Sequence, residues 1–194
     1  MIGCYAQTEL GHGSNVAGLE TTATYCEKTE TFTIHSPTIK AAKFWPGALG
    51  IQANHAVVFA RAIALGNDYG VQPFIIKIRD METHEPVPGV EVGDIGTKLG
   101  YNSIDNGYLM FNQVKVPRSA HLSRFTEITK EGEFELRSDP RLLYSIMSLT
   151  RLAIIKGCAF NIFRAGLVAT RYAVCRRQFA NQSGTKKERK LLDY

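Results

Sequence analysis

The chain has 194 residues, 44% hydrophobic and 21% charged, and its 23 basic and 18 acidic side chains give a formal net charge of +5. That balance excludes intrinsic disorder, collagen-like repetition and a disulfide scaffold as descriptions of the whole chain. The length suits one compact domain, or one domain and part of another.

The N-terminal MIGCYAQTEL lacks the basic-then-apolar pattern of a secretory signal and reads as starting inside a strand. It runs into a Gly-rich bend, Tyr5 to Asn15, that carries Thr8, Ser14 and Asn15. Such a bend is either a plain turn or a place where backbone N–H groups and hydroxyls meet an anionic or polar ligand. Its spacing is neither G-x-G-x-x-G nor G-x-x-x-x-G-K-[ST]. Glu20 to Tyr25 is Thr-rich and predicts a strand, and Thr31 to His35 alternates polar and apolar as a half-buried strand does. Lys43 to Gly50 sets the only tryptophan, Trp45, before a Pro46-Gly47 turn. An indole there either walls a flat cofactor or plugs the end of a barrel.

His55 to Leu65 fits helix or strand; its Val-Val-Phe centre and the Gly66-Asn67 turn favour a strand. Phe74 to Arg79 and Tyr108 to Val116 are further predicted strands, the last ending at Pro117. Turns are marked at Gly47, Gly50, Pro88-Gly89 and Asn106-Gly107. Short strands at this spacing predict an antiparallel barrel or sandwich over residues 1–117.

Residues 118–137, rich in charge, predict a linker. Ser138-Asp139-Pro140 is a helix start. Leu142, Ile146, Leu149, Ala153, Phe160, Phe163, Leu167 and Tyr172 then predict one amphipathic helix to about Phe179, roughly 60 Å long. Gly157 and Gly166 allow bending or close packing within it. One such helix cannot bury itself, so residues 138–194 are expected to begin a helical domain completed elsewhere, by more of the same chain or by other chains. No unbroken run of roughly 18 apolar residues occurs, so no membrane span is expected.

Charge is uneven. Residues 1–139 hold 12 basic and 16 acidic groups, and residues 140–194 hold 11 and 2. An anionic partner fits this, as nucleic acid, lipid headgroup or phosphate-bearing small molecule, and so does pairing with acidic groups of the first half or of another subunit. Nothing resembles a zinc finger, a helix-turn-helix or a stacking-aromatic sheet, so no nucleic acid is expected. Arg176 and Arg177, in the segment Thr170 to Phe179, either complement the helix dipole or form a guanidinium fork for pyrophosphate. Cys4, Cys26, Cys158 and Cys175 form no C-x-x-C pair and the five histidines are scattered, which predicts free thiols in a reducing compartment and no metal centre.

In order and spacing, the segments AQTELGHGSN, LETTATY, WPGALG, DYGVQPFI, VGDIGTKLGYNSIDNGYLMF and ATRYAVCRRQF resemble the central region of the acyl-CoA oxidases, the peroxisomal relatives of the acyl-CoA dehydrogenases. The resemblance covers nearly the whole chain. It implies an α+β fold: an antiparallel β-barrel (1–117), a linker (118–137) and a long helix that begins a C-terminal helical bundle (138–194). It implies FAD as cofactor, with Thr8 approaching the flavin ring, Gly47 as a second flavin contact, Trp45 beside the isoalloxazine and Ser14 near phosphates or the pantetheine arm. Arg176 and Gln178 match a segment that reaches FAD from the neighbouring subunit, so a homodimer is implied.

The implied reaction is α,β-dehydrogenation of fatty acyl-CoA to trans-2-enoyl-CoA with O2 reduced to hydrogen peroxide, in the peroxisome. The family's catalytic Glu lies downstream of Tyr194, so no catalytic residue is expected in this chain; Glu9 and Glu20 match no base. Asn15, His12 and the Trp-Pro-Gly turn lean to the oxidase branch, while Ala48 and Ala180 replace glycines common in relatives. An acyl-CoA dehydrogenase serving an electron-acceptor protein, and a non-catalytic flavin- or CoA-binding module, are the alternatives.

Overall fold

The computed structural model describes residues 1–139, 142–180 and 188–194. They fall into two compact units, Met1–Asp139 and Pro140–Tyr194. Strands in chain order are β1 (Gly3–Ala6), β2 (Thr22–Cys26), β3 (Thr31–His35), β4 (Lys43–Gly47), β5 (His55–Ala64), β6 (Asn67–Lys77), β7 (Val90–Asp94), β8 (Asn106–Phe111), β9 (Val114–Pro117), β10 (Thr126–Ile128) and β11 (Phe134–Leu136). The second unit holds α1 (Leu142–Cys175), β12 (Arg177–Ala180) and β13 (Glu188–Lys190).

The centre of the first unit is β5. Its residues alternate strictly, with Ala56, Val58, Ala60, Ala62 and Ala64 buried and His55, Val57, Phe59, Arg61 and Ile63 half-exposed. The inward alanines leave room for Phe32, Phe74 and Phe111, all but inaccessible in the core; the Phe32 and Phe74 rings lie 5.0 Å apart. One edge of β5 pairs antiparallel with β6. The other edge takes β1 at His55–Val58 and β2 at Arg61–Ile63, end to end and both parallel. β3 and β9 extend the sheet beyond β2, and a second sheet runs β4-β8-β7. The all-antiparallel expectation is thus modified: the large sheet is mixed.

Three further expectations change. The single strand expected over Tyr108 to Val116 is two, β8 and β9, in different sheets, with Gln113 at φ 53 turning between them. Residues 118–137 are not a linker but part of the first unit. Arg118 N–H donates to Glu30 O at 3.0 Å, Leu122 N–H to Pro73 O at 3.0 Å, Thr126 Oγ1 to Gln72 Oε1 at 2.7 Å and the Tyr25 hydroxyl to Lys130 O at 2.9 Å. Ile128 is buried from the β10–β11 hairpin. Hydrophobic anchors among the charges thus outweigh the linker-like composition.

In the second unit α1 ends at Cys175, not Phe179, and the chain returns as the β12–β13 hairpin. Its 34 residues span about 51 Å. The expected start at Pro140 lies outside the described residues, as do the side chains of Leu142 and Ile146. The expected amphipathic stripe is absent: Leu149, Leu152, Ile155, Phe160, Ile162, Phe163 and Val168 lie all round the helix and all are exposed. Met147–Cys175 is also long and apolar enough by length and composition to cross a membrane, which the search for an unbroken apolar run did not anticipate. A helix apolar on all sides is one that is buried on all sides, in lipid or in a helical domain.

Candidate functional site

Thr8 and the Trp45 turn are far apart in sequence and adjacent in the fold. Phe44 N–H donates to Thr8 O at 3.0 Å, Leu10 N–H to Ala42 O at 2.8 Å and Gly11 N–H to Lys40 O at 2.9 Å. The segment after β1 is therefore laced to β4 by backbone hydrogen bonds. Beneath this seam Glu9 and Lys43 form an ion pair at 3.0 Å, with both side chains fully buried.

The pair is completely hydrogen-bonded. Glu9 Oε1 also accepts from Thr21 N–H at 2.9 Å and from the Thr21 hydroxyl at 2.6 Å, and Oε2 accepts from Glu20 N–H at 2.8 Å and lies 3.1 Å from His12 Nδ1. Lys43 Nζ also donates to Gln7 O at 3.2 Å and Phe59 O at 2.5 Å. Burial pushes the Lys43 ammonium down to about 8, while Glu9 pulls the other way. Burial pushes the Glu9 carboxyl up, but Lys43 and the Thr21 and Glu20 donors outweigh it and hold the group below the usual carboxylate range. Glu9 is an ionised anchor, not a free base.

The opposite wall of the seam is built by residues that sequence reasoning passed over. Arg79, buried, donates to Leu49 O, Gly50 O and Ala53 O at 3.0, 2.7 and 2.6 Å, clamping the turn after β4. Asp105 accepts from Ile51 and Gln52 N–H at 2.6 and 3.0 Å. Asn106 Nδ2 donates to Trp45 O at 2.7 Å. The only prior signal was the Asn106-Gly107 dipeptide, read as a turn, yet those residues open β8.

The sequence-predicted residues then fall as follows. Thr8 is half-buried, Gly47 exposed, and the Trp45 ring about half exposed at 51%. Ser14 is exposed on the bend that the reciprocal Glu9–His12 backbone bonds close. Arg176 and Gln178 belong to the second unit: Arg176 follows α1 and is exposed, and Gln178 lies in β12, half-buried, opposite Arg189. Tyr194 hydroxyl donates to Gln178 O at 3.0 Å, and the Arg189 guanidinium sits 4.9 Å over the Tyr194 ring, so the hairpin is pinned by its own side chains. Ala48 holds φ 64, a glycine-favouring conformation; the Ala180 side chain lies outside the described residues. Among the described residues no group of acidic, His and Cys side chains could hold a metal ion.

Gly47 and Gly13, like Gly3, Gly100, Gly157 and Gly166, have no steric or backbone reason internal to the chain for being glycine. A Cβ on Gly47 would touch only Ile104 Cγ2 at 3.5 Å, an ordinary contact, and one on Gly13 would meet nothing within 4 Å. Neither is among the positive-φ glycines. Gly47 therefore leaves open space next to the exposed indole of Trp45 in the same turn.

The sequence matches the acyl-CoA dehydrogenase middle domain over residues 4–114 and the acyl-CoA oxidase C-alpha1 domain over residues 144–194. The chain belongs to the acyl-CoA oxidase family. It is 50% identical to peroxisomal acyl-coenzyme A oxidase 1 of Arabidopsis thaliana, with 100% of this chain and 30% of that protein aligned. Against peroxisomal acyl-coenzyme A oxidase 2 of Mus musculus the identity is 46%, covering 100% and 28%. The solved Arabidopsis thaliana acyl-CoA oxidase 1 superposes at a TM-score of 0.92 and 50% identity, covering 99% of this chain and 30% of that one. Acyl-CoA oxidase-2 of Caenorhabditis elegans, solved with FAD, ascaroside-CoA and ATP, gives 0.91 and 43%, covering 100% and 29%. The chain thus spans about 30% of the length of the relatives it matches.

Proposed function

We propose that this chain is the flavin-binding middle domain and the first C-terminal helix of an FAD-dependent acyl-CoA oxidase. The reaction is α,β-dehydrogenation of a fatty acyl-CoA to the trans-2-enoyl-CoA with O2 reduced to hydrogen peroxide, the opening step of peroxisomal fatty acid β-oxidation. The observation that carries the reading is the seam itself: Thr8 and the Trp45-Pro46-Gly47 turn locked together over a buried ion pair, with the Trp45 indole and Gly47 exposed.

A flat, partly polar ring system suits that surface. When bound, FAD takes up the two electrons of the dehydrogenation and hands them to O2. The chain's own residues bind and orient. The Thr8 hydroxyl supplies a polar contact at the ring edge. The Trp45 indole walls one side and excludes water. Gly47, without a side chain, lets backbone approach the ring, and Ser14 serves the phosphate or pantetheine region. Arg176 and Gln178 engage the anionic part of the cofactor from the second copy of a homodimer, the role to which the positive balance of residues 140–194 is suited.

By the family resemblance the α-proton is removed by a carboxylate downstream of Tyr194; Glu9, committed to Lys43 and Thr21, is not that base. The apolar circumference of α1 is covered by the other helices of its domain in the whole enzyme, which accounts for its membrane-like composition without a membrane.

The test uses the full-length protein. Denaturation should release about one FAD per subunit, and added acyl-CoA should yield one hydrogen peroxide per enoyl-CoA. Flavin reduction that needs an electron-acceptor protein and gives no peroxide would replace the oxidase by a dehydrogenase. A protein without flavin would leave a CoA-binding module.

A further inference from the structure

Trp45 holds φ 83, a left-handed conformation that a bulky side chain rarely adopts. The cause lies in the strand register. Phe44 pairs with Tyr108 and Gly47 with Asn106, so β4 advances three residues while β8 advances two. The extra residue makes a bulge at Trp45-Pro46, and bulges re-aim side chains. Here the indole is turned outward, about half exposed, instead of into the core. The bulge also costs ladder bonds, because Pro46 has no N–H to give and the Trp45 carbonyl has lost its strand partner.

Asn106 makes good that loss. Its Nδ2 reaches the Trp45 carbonyl at 2.7 Å, replacing a backbone donor by a side-chain amide. The residue is 8% exposed, and its Oδ1 is buried with no hydrogen-bond partner among the described residues. An amide that leaves its acceptor unsatisfied in the interior is there for its donor. Gly107 keeps it in place: a Cβ there would lie 2.5 Å from Gly50 N, so β8 lies directly against the turn that follows β4.

We propose that Asn106 is a positioning residue for the reaction: it touches neither flavin nor substrate, and it fixes the Trp45 bulge so that the indole faces the cofactor. The inference rests on the flavin-binding reading above. It makes Asn106 and Trp45 one functional unit contributed by two strands.

The test is a double-mutant cycle in the full-length holoenzyme. Asn106→Leu keeps the branching at Cγ, at the cost of some added bulk, and removes the donor. Turnover of acyl-CoA should fall on the order of tenfold, the scale expected when a positioned group is slightly misplaced. The visible circular dichroism of the bound flavin should shift as it does in Trp45→Ala. The double variant should be no worse than Trp45→Ala alone, because both changes remove the same placement. A purely structural Asn106 would lower the melting temperature and add its loss to that of Trp45→Ala. Additive losses, or an N106L enzyme with wild-type turnover and dichroism, overturn the inference. If N106L does not fold, Asn106→Ser takes its place: it is small, polar and too short to reach the carbonyl, so the same non-additivity is expected and additivity again overturns it. A flavin-free wild type overturns the reading beneath and this inference with it, whereas a loaded, active wild type with unaffected variants overturns this inference alone.

Discussion

The two units handle their difficult side chains in opposite ways. In Met1–Asp139 even the charged residues Glu9, Lys43 and Arg79 are buried, and each is satisfied by named partners. In the second unit the large apolar residues of α1 are exposed, Ile162 at 73% and Phe163 at 68%. The β unit thus contains its own interior, whereas the helix, apolar all round, has its large side chains left uncovered within the chain. A domain boundary in the packing sense separates a part that is energetically closed from one that is open.

That contrast can be broken hardest at the buried pair. Lys43→Ala strands the Glu9 carboxylate in the core and should cost about 3–5 kcal/mol of unfolding free energy, read by denaturant titration. Charge removal at Arg164 on the exposed helix should leave the same transition unmoved. Equal effects would refute the difference between the units.

A second test uses acid. His121 lies among the Phe32 and Phe74 rings, its Nε2 without a partner among the described residues, and burial pushes it down to about 4. The unfolded chain, with His near 6.5, binds the proton more readily. Stability contributed by keeping this group neutral is therefore full above about 6.5 and is lost as pH falls toward 4, by on the order of 3 kcal/mol. His121→Leu should flatten the difference in melting temperature between pH 6.5 and 4 relative to the wild type; an unchanged slope would remove His121 from the account.

The smallest expected effects have opposite signs. Gly107→Ala sets a methyl 2.5 Å from Gly50 N and should destabilise by roughly 1–3 kcal/mol. Gly157→Ala and Gly166→Ala meet nothing within 4 Å and should stabilise this chain by about 1 kcal/mol each, the helix-propensity gain over glycine. In the full-length enzyme, where other helices close on α1, that gain should shrink or reverse. Persistence of the full gain there would mean that the glycine faces stay open.

Much of this was legible in the sequence, and what was not has a physical pattern. Period-two alternation located β3, Thr-richness β2, and a β-branched centre with a following turn β5, each within a residue or two, because a half-buried strand writes its environment into its own residues. The parallel pairing of β1 and β2 with β5 was not legible, since alternation says which face is buried and not which neighbour lies alongside. Residues 118–137 misled because their charges are solvated while Ile128 and Phe134 still anchor them. The helix end was missed because Phe179, apolar and in helical phase, holds φ 63 within a strand.

At the site, the expectation for Thr8, Trp45 and Gly47 came from family resemblance, and the fold sets Thr8 beside the Trp45 turn through the β4 seam. Arg176 and Gln178 remain in the second unit. The structural roles of Glu9, Lys43, Arg79, Asp105 and Asn106 were not readable, Asn106 having shown only as part of a turn dipeptide. Their partners are backbone atoms or side chains set by tertiary pairing, and a lone Lys or Asn in a sequence looks like surface.

The end-to-end arrangement of β1 and β2 along one edge of β5 has a consequence for how the molecule is made. Both strands leave the ribosome before β5, and the edge they share begins only at His55 and ends at Ala64. Until β5 has been synthesised they have nothing to pair with in parallel, and β5 itself is first closed by β6 across the short Leu65-Gly66 connection. The segment that carries Thr8, made before its sheet partner, is therefore a part that must wait.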